Sequence, residues 1–114
     1  MLTNTQVSDL SPLKNLTNLQ TLILTRTKVS DLTPLRELKG LKILVVVETK
    51  VSDLTPLKAL INLQFLNLTG TQVSDLTPLR ELKILKELAV VETKVSDEQV
   101  DALKKALPKL TIGR

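Results

Sequence analysis

The string "TKVSDLTPL" begins at Thr27 and again at Thr49. It returns as "TQVSDLTPL" at Thr71 and, with a serine for the second threonine, as "TQVSDLSPL" at Thr5; a last fragment, "TKVSD", opens at Thr93. The interval is 22 residues throughout. A unit that short cannot bury its own apolar face, so units must stack on one another into a solenoid.

The expected organisation is one domain, residues 1–114, built of repeats 5–26, 27–48, 49–70 and 71–92 and a C-terminal capping repeat, 93–114. Leu-x-Leu pairs (Leu22 and Leu24, Leu44 and Val46, Leu66 and Leu68, Leu88 and Val90) carry the period-two mark of a strand. The "SDLTPL" that follows spaces its apolar residues three apart, with proline just inside the turn. That spacing predicts a short 3₁₀ turn, since a 22-residue unit leaves little room for a longer helix. Units 27–48 and 71–92 match at 18 of 22 positions, whereas 27–48 and 49–70 match at 12, the mark of a duplicated 44-residue pair, natural or engineered. With Phe65 the only aromatic among 42% hydrophobic residues, the core must be made of Leu, Val and Ile in thin layers.

The ends differ. "SDEQVDALKKALPKLTIGR" departs from the turn pattern: Ser96 and Gln99 form a capping box, Val100, Leu103 and Leu107 share a helical face, Pro108 stops the helix, and Leu110 and Ile112 supply a last strand. This predicts a helical lid. At the other end only Leu2 remains of a preceding strand, so the first layer is expected to expose an apolar edge.

The L-x-x-L-x-L pattern followed by "SDLTPL" resembles bacterial leucine-rich-repeat proteins, in their 22-residue internalin-like form. The resemblance covers essentially the whole chain. It implies an α/β fold: a short horseshoe with a parallel β-sheet on the concave face, 3₁₀ segments on the convex face and a C-terminal capping helix. The family's ladder asparagine is replaced here by Thr5, Thr27, Thr49, Thr71 and Thr93. A hydroxyl offers one donor besides its lone pairs, so a weaker ladder is expected.

Catalysis finds little to work with. There is no Cys and no His, so thiolate metal sites, disulfides and the commonest general base are absent. Three glycines make no phosphate loop, and no cofactor site can be assembled. Asp9, Asp31, Asp53, Asp75 and Asp97 form a column that does not converge on a point, as calcium requires; capping of each turn by Asp or the preceding Ser is the expected role. Lys14, Arg36, Lys58 and Arg80 form a basic stripe with acidic neighbours Glu37 and Glu81, read as a solvated convex face. The net charge of +4 is too mild by itself to mark a nucleic-acid binder, and the lack of stacking aromatics argues against nucleic acid as the partner. No apolar run approaches the ~20 residues of a membrane span, so no membrane insertion is expected. "MLTNTQVSDL" is not a signal peptide, which gives a cytoplasmic chain by default, or a cell-surface or secreted one if it is a piece of an internalin-like protein.

Leucine-rich-repeat proteins bind through the side chains between the buried leucines, and stacking lines these up in columns. The columns are expected to run Thr21, Ile43, Phe65, Glu87, Lys109; Ile23, Val45, Asn67, Ala89, Thr111; Thr25, Val47, Thr69, Val91, Gly113; and Arg26, Glu48, Gly70, Glu92, Arg114. Ion pairs are expected for Arg26 with Glu48, Glu87 with Lys109 and Glu92 with Arg114. Ile23, Ile43, Val45, Val47 and Phe65 would make one apolar patch, which suggests an interface. The sequence therefore points to a non-catalytic protein-binding module. Its expected site is Ile23, Arg26, Ile43, Val45, Val47, Glu48, Phe65, Asn67, Glu87, Val91 and Glu92, and its partner another protein. The alternative is a self-associating scaffold, a homodimer through the apolar patch or the open first layer.

Overall fold

The computed structural model describes residues 6–114, so Leu2 and Thr5 lie outside the described residues. Each Leu-x-Leu segment forms a short parallel strand: β1 (Thr21–Ile23), β2 (Ile43–Val45), β3 (Phe65–Asn67), β4 (Glu87–Ala89) and β5 (Thr111–Gly113). They join one sheet in the order β1-β2-β3-β4-β5. Alternation turns Leu22, Leu44, Leu66 and Leu88 into the core and leaves the residue on either side facing outward.

On the opposite side each "TPL" or "SPL" forms one 3₁₀ turn, at Ser11–Leu13, Thr33–Leu35, Thr55–Leu57 and Thr77–Leu79. Proline occupies the first turn of each, where its missing N–H costs nothing and its fixed φ suits the conformation. The N–H of the last residue reaches back three places, as in Leu35 to the Leu32 carbonyl at 2.9 Å. Leu32, Leu54 and Leu76 at the Ncap positions are buried, so the turn is pinned by the core it covers.

Between sheet and turns lies a continuous stack of leucine and valine. In the third unit Val51, Leu54, Leu57, Leu60, Leu63, Leu66 and Leu68 are all buried. A fully buried Leu contributes roughly 2 kcal/mol relative to an exposed one, and the same positions recur layer after layer.

Thr27, Thr49 and Thr71 are the buried polar residues of the described core. The hydroxyls of Thr49, Thr71 and Thr93 donate to the carbonyls three residues earlier, Val46, Leu68 and Val90, at 3.0, 2.7 and 2.7 Å. The hydroxyls of Thr27, Thr49 and Thr93 accept only long bonds from the N–H two residues on: 3.4 Å from Val29, 3.5 Å from Val51 and 3.4 Å from Val95. The ladder expected from these threonines is thus a set of local closures at the junctions between consecutive units. Backbone joins the units here instead: the N–H groups of Lys28, Lys50, Gln72 and Lys94 donate to Val7, Val29, Val51 and Val73 at 2.9, 3.1, 3.0 and 3.1 Å.

After each strand the chain turns through the left-handed region, with φ of 52° at Arg26, 54° at Glu48, 74° at Gly70 and 55° at Glu92. Only glycine enters this region freely; other residues there cost on the order of 1 kcal/mol. The geometry is enforced from the next unit, because the N–H of Arg26, Glu48 and Gly70 donate to Val47, Thr69 and Val91 at 2.9, 2.8 and 2.9 Å. At Gly70 a Cβ would also come within 3.0 Å of the Glu48 Cγ.

The last unit replaces the 3₁₀ turn with α1 (Asp97–Ala106), which buries Val100 and Leu103, with Leu107 behind them. Ser96 caps it, its Oγ accepting from the Gln99 N–H at 3.2 Å. The expected capping box is only half made: the Gln99 carboxamide accepts instead from the Leu76 N–H at 2.9 Å, tying the lid to the unit it covers. Lys104 Nζ donates to the Leu110 carbonyl at 2.5 Å and Arg114 pairs with Asp97, which fastens β5 to α1.

Candidate functional site: the concave face

The helix alters the register of the last strand. Partners on β1 to β4 are 22 apart in sequence (Thr21 with Ile43, Ile43 with Phe65, Phe65 with Glu87), but on β4 and β5 they are 24 apart: Glu87 with Thr111, Leu88 with Ile112, Ala89 with Gly113. Bonds at the strand entrances agree, since Phe65 N–H reaches Lys42 O whereas Thr111 N–H reaches Lys86 O. The expected columns therefore hold through β4 and fail at β5. Lys109 does not stand beside Glu87, and Arg114 turns to Asp97 instead of Glu92. The physical reason is that ten helical residues need more chain than a three-residue 3₁₀ turn.

Arg26 and Glu48 do meet, at 3.5 Å, with both side chains about half exposed. An ion pair so open to water contributes at most about 1 kcal/mol.

The central strands carry the apolar residues. Ile43 lies against Phe65, and Val45 lies between Ile23 and Asn67. Ile43 is 38% exposed and Val91 likewise 38%; Ile23, Val45, Val47, Phe65 and Asn67 are half-buried by their neighbours. Asn67 also uses its Oδ1 to accept from the Thr69 N–H at 3.0 Å, which holds the exit from β3. Of the residues singled out in the sequence, Ile23, Ile43, Val45 and Phe65 come together on adjoining strands. Val47 and Val91 follow on the turn side, with Arg26, Glu48 and Glu92 in the turns beyond them, and Glu87 stands at the entrance of β4.

The convex face carries the carboxylate column. Asp9, Asp31, Asp53 and Asp75 each accept from the N–H two residues on (Ser11, Thr33, Thr55, Thr77) at 2.9 Å. Each stands one residue before its turn's Ncap and closes an Asx turn. The hydroxyl of the same Ser or Thr, and then its N–H, hold these four carboxyls below the ordinary aspartate value. Asp97 leaves the column and enters the first turn of α1. Among the described residues no acidic group gathers as a metal site would require. The groove between the second and third 3₁₀ turns, with Arg36, Glu37, Lys39, Asp53 and Lys58 around it, is open and carries both signs of charge. No helix of the described residues is long and apolar enough to cross a membrane.

Two exposed apolar residues escaped the sequence reading, Ile61 (59%) and Ile84 (45%), on the segments leading down to β3 and β4. The signal was there: Ile61 stands where the neighbouring units have Lys39 and Lys83, and Ile84 where they have Gly40 and Asn62.

Comparison with known proteins agrees with the geometry. The family profile for leucine-rich repeats (2 copies) matches residues 1–37. Among solved structures, an internalin, InlF, of Listeria monocytogenes is similar at 31% identity and a TM-score of 0.87, over 94% of this chain and 31% of its own. Internalin C2 of Listeria monocytogenes is similar at 33% identity and 0.82, over 97% of this chain and 57% of its own. A leucine-rich-repeat protein of Leptospira interrogans is similar at 27% and 0.87, over 96% and 29%. The chain thus spans from 29% to 57% of these proteins' lengths, and their whole-protein activities do not transfer with the fold. No curated protein sequence matches. The fold is one that serves in general as a protein-interaction module rather than a catalyst. With the 22-residue period, the parallel sheet and the 3₁₀ turns in agreement, this chain is a leucine-rich-repeat solenoid of internalin-like units.

Proposed function

We propose that the chain, acting as one leucine-rich-repeat domain over residues 1–114, is a non-catalytic module that binds another protein on its concave face. The observation that carries this reading is the run of partly exposed apolar side chains on adjoining strands, Ile23, Ile43, Val45 and Phe65, continued by Val47. An alternating strand needs apolar residues only on its core side, and β2 has them on both. Contact area comes from these five, with Asn67 and Val91 at their border. Arg26, Glu48, Glu87 and Glu92 set orientation.

The test uses the wild-type chain, Val45→Asp and, on the convex side, Lys58→Glu as baits against extract of the cells that make the protein. Proteins retained by wild type and by Lys58→Glu are expected to fall at least tenfold on Val45→Asp. Equal retention by Val45→Asp removes the concave face from consideration. Light scattering across a wide concentration range, with the same variants, shows whether a second copy is the partner.

A further inference from the structure

The register shift at β5 changes the charge of the concave face. Had the 22-residue spacing continued, Lys109 would stand beside Glu87 and Arg114 beside Glu92. Instead Glu87 faces Thr111, and Arg114 is held by Asp97. Both glutamates are exposed, and among the described residues neither has an ion-pair partner. Lys86, just before β4, is exposed and also makes none among the described residues. At the opposite corner the same kind of position is neutralised, by Arg26 with Glu48. The face is therefore apolar in the middle, neutral at one corner and negative along β4, on a chain whose net charge is +4.

The position of the charge is specific. Glu87 is the direct strand partner of Phe65, and strands lie ~4.8 Å apart. Glu92 directly follows Val91, one of the most exposed apolar residues on the face. Any occupant that covers Phe65 and Val91 strips water from one side of both carboxylates. An unpaired carboxylate resists that, whereas a guanidinium or ammonium satisfies it, guanidinium best because it can bind with two parallel hydrogen bonds.

We propose that the concave face takes a protein segment in which an apolar anchor, seated against Ile43, Val45 and Phe65, is accompanied by basic residues, lysine or arginine, one meeting Glu87 at the entrance of β4 and another meeting Glu92 beyond its exit. The proposal rests on the concave-face reading and adds the chemistry of its partner.

The probe is a phage-displayed library of random dodecapeptides, selected on the immobilised full chain, with the consensus peptide then synthesised and titrated by calorimetry. The expected consensus couples an aliphatic or aromatic residue with Arg or Lys. Its affinity is expected to fall about tenfold with Glu87→Lys, less with Glu87→Gln, and to vanish with Val45→Asp, each variant keeping the wild-type melting curve. An acidic or uncharged consensus that Val45→Asp abolishes and Glu87→Lys leaves unchanged overturns this proposal while keeping the concave reading. A consensus indifferent to both variants overturns both, and so does a selection that enriches nothing. A wild-type dimer dissolved by Val45→Asp makes a second copy the occupant and also overturns it.

Discussion

Leu16 and Leu60 hold the same place in their units, and they live in different surroundings. Leu60 is fully buried between two neighbouring layers, whereas Leu16, in the first unit, is 48% exposed. Leu13 and Leu19 repeat the contrast, half-buried where Leu57 and Leu63 are sealed. At the far end Val100, Leu103 and Leu107, on and just after α1, cover the last layer as another unit would. The same leucine is worth different amounts according to whether something stacks upon it. In a solenoid, stability belongs to the interfaces between units more than to the units.

The contrast predicts unequal costs for equal deletions. Leu60→Ala is expected to destabilise by about 3 kcal/mol, the transfer of the lost carbons plus an unfilled cavity between layers. Leu16→Ala should cost below about 1 kcal/mol, since much of its side chain already meets water. Urea unfolding of both variants measures this. Equal midpoints would mean that Leu16 is covered in solution.

A second prediction concerns how the lid is attached. Gln99 joins the two regions by accepting from the Leu76 N–H, where the helix cap meets the fourth 3₁₀ turn. Gln99→Ala leaves that partly buried donor without its partner and should cost about 1–2 kcal/mol. Ser96→Ala removes the cap proper, for about 1 kcal/mol. Hydrogen exchange localises the effect: Leu76 N–H should lose protection in Gln99→Ala and keep it in Ser96→Ala. Equal protection in both would mean that α1 is held by its apolar face alone.

How legible these features were depended on how far each was repeated. The solenoid, the strands at Leu22, Leu44, Leu66 and Leu88 and the 3₁₀ turns could be read because four copies average out the ambiguity of any one; the helix after Ser96, present once, was read from its own local signals, the cap at Ser96, the apolar face and the stop at Pro108. The first three concave columns could be read through β4 for the same reason. The shift at β5 was hidden, since it depends on the length of chain a single helix consumes, and no second copy displays it. The left-handed turn at Arg26, Glu48 and Glu92 was hidden too: glycine announces that conformation only at Gly70, and at Arg26 and Glu48 a backbone bond to the next unit holds it. Gln99 looked like half of a capping box because its local spacing fits one, but a tertiary donor, Leu76 N–H, competes for the carboxamide and wins. Repetition in the sequence records what the units share, and most of what distinguishes the site lies where one unit differs from the rest.

The smallest expected effect separates the convex turns from the helical end by pH. Asp9, Asp31, Asp53 and Asp75 are held below their ordinary value by the hydroxyl and then the N–H two residues on, with a weak opposing push at Asp31 from Asp53 and Asp9 and at Asp75 from Asp53. A carboxyl whose folded value lies below its unfolded one binds its proton more readily when unfolded. Its contribution is therefore complete above the unfolded aspartate value, near pH 4, and is lost as pH falls through the lower folded value. The urea midpoint should be flat from neutral pH to about 5 and should decline below 4. Asp53→Asn keeps an oxygen to accept from Thr55 N–H but cannot titrate. It should leave the Asx turn intact and reduce the steepness of the acid decline, and combining it with Asp31→Asn should reduce it further. An acid decline of unchanged steepness in the double variant would show that the pH dependence does not come from the convex turns.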